Sequence, residues 1–300
     1  MPCFKPIKAW RSEERSAASG KRKITFRPDR GVGLELQLPC GQCVGCRIER
    51  SQQWAIRCVH EASLYEQNCF LTLTYDDEHL PEDGSLNKKH FQDFMKRLRK
   101  KFPESRIRYY HCGEYGEVSN RPHYHACLFN FDFLDRVFFK ETRGSRLYTS
   151  PVLDRLWPFG FSTIGDVSFE SAAYVARYIM KKVTGDRAKE HYERVNPETG
   201  EVVMLQPEYT TMSRRPGIGN DWMKFYSGDV FPHGFVVLRG KKMKPPRYYD
   251  EIYEVDDPEE YARLKEKRAK EAIRREKKGP SLRSREIVKE AQVGMLRREL

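Results

Sequence analysis

Residues 121–129 of the chain read RPHYHACLF, a stretch typical of a β-strand that carries two histidines. Residues two apart in a strand point to the same face, so His123 and His125 would present their imidazoles side by side. Such a pair suits a divalent cation in phosphodiester chemistry, where the cation polarises a phosphate that a nucleophile attacks. The ordinary alternative is two half-exposed polar residues at the end of a strand.

A carboxylate is expected beside this pair. Residues 107–113 are predicted to form a strand that precedes the histidine strand, and the short turn between them indicates an antiparallel hairpin. The hairpin could bring Glu114 next to His123 and His125. Two neutral histidines and one carboxylate, with coordination positions left open, suit Mg²⁺ or Mn²⁺ that holds a phosphate oxygen.

Tyrosines at helical spacing supply a candidate nucleophile. A helix is predicted over residues 169–183, with Ser168 as its N-cap. Tyr174 and Tyr178 lie four residues apart on one stripe, and Lys181, three further on, could stabilise a phenolate or a phosphate. This stripe lies opposite an apolar seam, whereas aromatic residues at such spacing more often belong to the core. The seam consists of Ala172, Ala176, Ile179 and Val183.

The order of elements predicts an α+β fold. It runs helix, strand, helix, hairpin, strand, helix, which favours an antiparallel sheet with flanking helices, placed on one face. Residues 1–38 are expected to be irregular apart from a short strand, and residues 136–150 to be a polar insertion. The other predicted elements are a helix at 47–67, a strand at 70–75, a helix at 90–100 and a strand at 161–167.

A cysteine cluster lies near the start of the chain. Cys40, Cys43 and Cys46 follow one another at three-residue steps, and Cys3 lies upstream. Four thiolates would complete a tetrahedral zinc site. The spacing differs from that of a paired CxxC zinc knuckle, so a cluster of thiols that binds no metal is the alternative.

Charge and hydropathy restrict the class of partner. The chain has a net charge of +12, which favours a polyanion such as nucleic acid. No apolar run approaches the roughly 18 residues that span a bilayer, and the N-terminus lacks the apolar core of a signal peptide. We therefore expect a cytosolic protein without a membrane partner, whose eight cysteines are thiols or metal ligands.

Three segments are predicted: a basic, cysteine-rich segment at residues 1–46, a main domain at 47–240, and a basic linker with a charged helical tail at 241–300. Several polar side chains could contact DNA. The two threonines of the strand at 70–75 share one face, although an ordinary half-buried strand would show the same pattern. The predicted DNA contacts are Thr72, Thr74, Arg121, Lys182, Arg214 and Arg215.

Three ordered motifs resemble those of HUH rolling-circle replication initiators. They are FLTLT at residues 70–74, PHYH at 122–125, and the Tyr174, Tyr178 and Lys181 set. Longer stretches resemble the replication initiators of gokushoviruses, within the Microviridae, and the similarity extends over roughly residues 1–250. These stretches are CGQCVGCR at 40–47, CGEYGE at 112–117, ESAAY at 170–174 and TMSRRPGIG at 211–219.

The resemblance implies a sheet-based DNA-nicking domain and a divalent cation held by the histidine pair with a third ligand, for which Glu114 is our candidate. It also implies a tyrosine that becomes joined to the 5′ phosphate of the nicked strand. The expected partner is single-stranded DNA at a replication origin, with the helicase and polymerase of a bacterial host, in whose cytoplasm the protein would act. An HUH transposase or plasmid relaxase uses the same chemistry, and a non-catalytic, zinc-containing nucleic-acid-binding protein is the more distant alternative.

Overall fold

The structure is a computed structural model. It describes residues 3–17, 20–116, 119–142, 144–177, 182–183, 185, 187–195, 200–276 and 280–295. The chain divides into two compact units, which comprise Met1–Arg50 with Lys265–Arg297, and Ser51–Leu264. Among the described residues, no helix is both long and apolar enough to cross a bilayer.

The fold contains both strands and helices. In chain order the strands are β1 (Ile7–Arg15), β2 (Arg22–Thr25), β3 (Val32–Leu38), β4 (Asn68–Thr74), β5 (Arg108–Tyr115), β6 (Pro122–Phe129), β7 (Val137–Thr142), β8 (Ser145–Thr149), β9 (Ser162–Gly165), β10 (Glu193–Val195), β11 (Val202–Met204), β12 (Tyr209–Met212), β13 (Val236–Leu238) and β14 (Lys241–Met243). The helices are α1 (Val44–Ala62), α2 (Lys88–Lys101), α3 (Pro151–Leu156), α4 (Phe169–Arg177), α5 (Arg187–Tyr192), α6 (Asn220–Val230), α7 (Arg247–Asp256), α8 (Pro258–Glu276) and α9 (Leu282–Gly294).

The smaller unit begins with a sheet that the sequence did not predict. Strands β1, β2 and β3 form an antiparallel sheet in the order β2-β1-β3; β3 coincides with the short strand expected near residue 36, whereas β1 and β2 replace an expected irregular segment. Most of its side chains are exposed, and Ala9 is the only fully buried residue of β1. Because the sheet buries so little, its sequence lacks the apolar alternation that normally indicates strands. The charged tail is helical, as predicted, in α8 and α9.

The larger unit is built on a seven-stranded sheet in the order β12-β5-β6-β4-β9-β8-β7, whose pairings are all antiparallel. This confirms the predicted α+β class. The segment at 136–150 is a further departure from expectation, because it forms the β7–β8 hairpin at one edge of the sheet and the start of α3. Strand β7 begins with three apolar residues, but all three are exposed, so the segment lacks the alternation of a half-buried strand that would have predicted it.

Helices cover both faces of this sheet, whereas the sequence predicted one face. On the first face, Leu71 and Leu73 of β4 pack in a cluster with residues of α2 and α3. On the second face, Phe70 and Cys127 pack with residues of α1 and α4. We refer to the second face as the α4 face. Strand β4 therefore buries neighbouring residues on opposite sides, which conceals the alternation of a half-covered strand.

A tight contact fixes the chain between α3 and β9 against the end of β4. The N–H groups of Thr74 and Asp76 donate to the carbonyls of Phe161 and Phe159, each at 2.9 Å. Gly160 lies between these two bonds with φ at +143°. A Cβ there would stand 2.2 Å from the backbone nitrogen of Asp76, so only glycine fits this position.

Gly160→Ala is expected to lower the free energy of unfolding by about 1–3 kcal/mol, since both the backbone angle and the contact with β4 oppose a side chain. Gly228→Ala on α6 is the matched control, because a Cβ there meets nothing within 4 Å. Urea unfolding of both variants measures the difference. Equal midpoints for Gly160→Ala and the wild type would contradict the close contact.

Candidate active site

The register of three neighbouring strands brings the predicted metal ligands together. Glu114 on β5 is paired with His123 on β6. Strand β4 pairs with the other edge of β6 and supplies a further cross-strand partner for each histidine. Thr74 lies opposite His123, and Thr72 lies opposite His125. Paired residues of antiparallel strands point to the same face, so these five side chains share the α4 face.

A single carboxylate oxygen joins the two imidazoles. Glu114 Oε1 lies 2.8 Å from His123 Nε2 and 3.1 Å from His125 Nε2. The Glu114 side chain is only 1% exposed. Burial would raise the pKa of Glu114, but the hydrogen bonds to the two histidines outweigh it and lower the pKa to about 2. The carboxylate is therefore ionised and directed at both rings.

The hydrogen bond at His123 Nδ1 determines which nitrogen of that ring carries a proton. His123 Nδ1 lies 3.0 Å from the carbonyl oxygen of Arg121, which can only accept, so Nδ1 carries a proton. A neutral His123 then has a lone pair on Nε2, facing the carboxylate oxygen of Glu114. The lone pair of this nitrogen and those of the carboxylate oxygen repel each other at this distance. The repulsion is relieved by a second proton on the ring or by a cation bound between the two atoms.

The spacing of the donor atoms fits a cation. An octahedral ion with bonds near 2.1 Å places neighbouring ligand atoms about 3.0 Å apart. The two measured separations at Glu114 Oε1 are 2.8 and 3.1 Å, and the three ligand atoms all lie within 4.8 Å of one another. Two imidazoles and a carboxylate are also a recognised donor set for divalent metals. The group is thus compatible with metal binding.

Thr72 contacts one of the candidate metal ligands in a way that the sequence did not indicate. Its Oγ1 lies 3.0 Å from His125 Nδ1, the ring nitrogen that faces away from Glu114. Phe70, two residues earlier on β4, stacks on the same imidazole, with ring centroids 5.6 Å apart. Thr72 and Phe70 together hold the ring so that Nε2 is directed at the carboxylate.

Helix α4 carries the candidate nucleophile over the strands. Ser168 and Ser171 bond each other's backbone N–H at the start of the helix, at 3.1 and 2.8 Å, which agrees with the predicted N-cap. Ala172 and Ala176 of the predicted seam are fully buried. Ser51 of α1 donates to the carbonyl of Ala173, which ties the helix to its neighbour.

Tyr174 reaches the candidate metal ligands from this helix. Its ring lies edge-on to His125, with centroids 5.0 Å apart and planes at 87°. The guanidinium carbon of Arg177 stands 5.8 Å from the centre of the Tyr174 ring. Arg177 therefore offers positive charge where the sequence suggested Lys181. Tyr178 and Lys181 lie outside the described residues, so their predicted roles stay predictions.

The predicted DNA contacts do not form one surface with the metal ligands. Arg121 adjoins His123 and forms an ion pair with Asp77 at 2.7 Å. Arg214 and Arg215 are exposed but follow β12 at the Arg108 end of β5. Six residues of strand separate that end from Glu114, which corresponds to about 20 Å.

Of the other predicted DNA contacts, Thr72 and Thr74 lie beside the candidate metal ligands. Thr74 donates to the carbonyl of Phe161 at 3.1 Å, beside the metal ligands, and Lys182 is exposed. Sequence reasoning named Thr72 only as a DNA contact and not as a support of His125, and it did not name Arg177. The spacing Tyr-x-x-Arg could have indicated Arg177, because residues three apart are neighbours on a helix.

The cysteine cluster of the smaller unit is a second group compatible with a metal. The thiols of Cys3, Cys40, Cys43 and Cys46 all lie within 4.8 Å of one another, and the sulfurs of Cys3 and Cys43 are 3.9 Å apart. A tetrahedral zinc site with bonds of 2.3 Å has sulfur separations of about 3.8 Å. All described cysteines are free thiols.

Backbone N–H groups are directed at these sulfurs. The N–H of Phe4 donates to Cys43 at 3.3 Å, that of Cys40 to Cys3 at 3.3 Å, and that of Cys43 to Cys40 at 3.2 Å. Burial would raise the pKa of Cys43, but N–H donors led by Phe4 outweigh it and lower the pKa to about 7. Burial raises the pKa of Cys3 and that of Cys46, so Cys43 is the one of these three thiols that favours the thiolate form.

Comparisons with known proteins place the candidate site within a family match. The family model described as Replication-associated protein ORF2/G2P matches residues 68–183, which include all three candidate metal ligands and Tyr174. No solved structure shows a significant match to the chain.

Three curated proteins are similar over most of the chain. Replication-associated protein VP4 of Bdellovibrio phage phiMH2K is 34% identical over 271 residues, which cover 87% of this chain and 80% of that protein. Replication-associated protein ORF2 of Spiroplasma virus 4 is 35% identical over 253 residues, covering 79% and 74%. Replication-associated protein ORF4 of Chlamydia phage 1 is 30% identical over 227 residues, covering 72% and 53%.

Thr72→Val should weaken the binding of Mn²⁺ by about 10- to 100-fold, because it removes the hydroxyl that orients His125 and keeps the shape of the side chain. Thr163→Val on β9 is the matched control, since Thr163 is the cross-strand partner of Thr72 and lies one strand further from the histidines. Titration followed by electron paramagnetic resonance gives both affinities. Equal affinities for the two variants would contradict the orienting role.

Proposed function

This chain belongs to the replication-associated proteins of gokushoviruses, within the Microviridae, and we propose that it initiates rolling-circle replication by cutting and rejoining single-stranded DNA. The observation that carries the proposal is the shared carboxylate oxygen of Glu114 between two imidazoles, with the Tyr174 ring beside His125. This set combines a cation site with a nucleophile. The DNA substrate is supported by the relatives' printed names and by the net charge of +12.

The proposed chemistry is a transesterification. A cation held by Glu114, His123 and His125, either Mg²⁺ or Mn²⁺, would polarise the scissile phosphate when bound. The Tyr174 oxygen attacks the phosphorus, and the bond to the 3′ oxygen breaks. The electron pair leaves on that oxygen, which takes up a proton. The 5′ phosphate stays joined to the tyrosine, and Arg177 provides positive charge beside the ring.

Retention of the phosphate on tyrosine makes rejoining feasible without ATP. The free 3′-OH would prime a host polymerase, with a host helicase separating the strands in the bacterial cytoplasm. After one round, a second tyrosine could cut the regenerated origin while the new 3′-OH attacks the first phosphotyrosine. Tyr178 is our candidate for that second nucleophile, on the basis of the sequence alone.

The decisive measurement is a covalent adduct between the protein and single-stranded DNA of the genome that encodes it, formed with Mn²⁺. Tyr174→Phe and Tyr178→Phe each remove one nucleophilic oxygen and keep the ring, so each variant should retain some cleavage or joining but fail at repeated rounds. The double variant should form no adduct. Tyr226→Phe, on the exposed surface of α6, is the control and should behave as the wild type.

Two further results would separate the alternatives. His125→Ala, or excess chelator, should abolish the adduct and leave most DNA binding intact, because phosphate contacts supply much of the affinity. A normal adduct in the double tyrosine variant would overturn the two-tyrosine mechanism. A protein that binds DNA but never forms an adduct would be the non-catalytic alternative.

We also propose that the cysteine cluster holds a structural zinc ion, on the strength of its sulfur separations and N–H donors. Purified protein should contain about one zinc per chain, and the zinc should survive the replacement of His123 and His125. Cys43→Ser should lose it, whereas Cys69→Ala, at a buried thiol outside the cluster, should keep it. Elemental analysis provides the measurement, and freshly reduced protein without zinc would contradict this assignment.

A further inference from the structure

The cross-strand row of side chains that contains Glu114 and His123 continues across the sheet beyond these two candidate ligands. From Glu114 on β5 it passes to His123 on β6 and Thr74 on β4. Leu73 of β4 is paired with Ser162 of β9, so Phe161 occupies the next position of the row, opposite Thr74. The bond from the Thr74 N–H to the Phe161 carbonyl confirms that contact. Because cross-strand partners share a face, Phe161 belongs to the same side of the sheet as the metal ligands.

Exposure increases steadily along this row. The Glu114 side chain is 1% exposed and that of His123 is 16% exposed, whereas Phe161 is 70% exposed. Helix α4 packs over β5 and β6, at the buried end of the row. The candidate site therefore opens to solvent in the direction of β4 and β9, where Phe161 lies.

The backbone of Phe161 is held firmly although its ring is exposed. Its carbonyl accepts from both the N–H and the hydroxyl of Thr74, at 2.9 and 3.1 Å. On the other side of Gly160, the carbonyl of Phe159 accepts from Asp76, and the indole N–H of Trp157 donates to the carbonyl of Thr74 at 3.0 Å. A single exposed apolar residue usually needs no explanation. Phe161 differs because its backbone is bonded to Thr74, the cross-strand partner of His123.

We propose that Phe161 stacks against an unpaired base of the DNA strand that flanks the scissile phosphate, an inference that rests on the proposed function. Two strand spacings separate Phe161 from His123, which is about 10 Å. A phosphate over the histidines would thus leave a neighbouring base within reach of the phenyl ring. Every base has an aromatic face, so stacking positions the strand without reading its sequence. Phe161 is a positioning residue in this scheme.

The test compares two strands of equal length, one ordinary single-stranded oligonucleotide and one made entirely of abasic nucleotides. Both carry the same phosphates, and only the first carries bases. Binding is measured by fluorescence anisotropy without added Mg²⁺ or Mn²⁺, so that no cleavage takes place and the proposed structural zinc is retained. Phe161→Ala should weaken binding of the ordinary strand by about 5- to 150-fold. Its affinity for the abasic strand should equal that of the wild type.

Three other variants make the result specific. Phe161→Tyr keeps an aromatic face and should retain the affinity, whereas Phe161→Leu keeps an apolar side chain and should lose it. Phe225→Ala is the matched control, because Phe225 is 75% exposed on α6, and it should bind both strands as the wild type. The anchoring of Phe161 is through its backbone, so thermal unfolding of these variants should match the wild type.

The outcomes separate this inference from the proposed function. An equal loss on both strands, or no loss, overturns stacking by Phe161 even where the wild type forms the covalent adduct. A loss confined to the ordinary strand, in a protein that forms no adduct, supports stacking while the proposed chemistry fails. A wild type that does not bind single-stranded DNA overturns both.

Discussion

The candidate site depends on the pairing of β5 with β6 in one register. A shift by one residue would turn every side chain of β6 to the opposite face and separate both histidines from Glu114. The register is held from the other side of the sheet by Tyr124, which lies between the two histidines in the sequence and is fully buried. Its hydroxyl bonds Tyr75 at 2.8 Å and accepts from the N–H of Asn87 at 2.9 Å. The chemistry on one face is thus positioned by packing on the other.

The parts of the molecule that were predictable are those with a local signal. The hairpin follows from the short turn between two strands, and the start of α4 follows from the hydroxyl of Ser168. The covering of both sheet faces was not predictable, because Phe70 and Leu71 are both buried and on opposite sides. The role of Thr72 also required the structure, since it depends on which residue of β6 lies opposite.

Two buried carboxylates show why position alone does not identify a functional group. Glu61 is paired with Arg108, and its second oxygen accepts from the N–H of Gly219 at 2.6 Å. Arg108 also donates to the carbonyls of Pro216 and Gly217, so this pair fixes a loop and its charges are balanced. Glu114 faces two imidazoles whose positive charge must come from protons or from a cation. Of the two arrangements, the Glu114 group is therefore the one compatible with a bound cation.

The row of side chains from Glu114 to Phe161 is buried at one end and exposed to solvent at the other. The buried end holds Glu114 and His123 on central strands, where ligand positions are fixed by backbone pairing and not by loops. The open end holds Phe161, whose backbone is anchored by Thr74 while its ring faces solvent. Tyr174 enters from α4 above the buried end, so under the proposed function a DNA strand would reach Glu114 and His123 from the open end. In the proposed function, the pairing of the β-strands would therefore determine both where the phosphate is held and from which side it arrives.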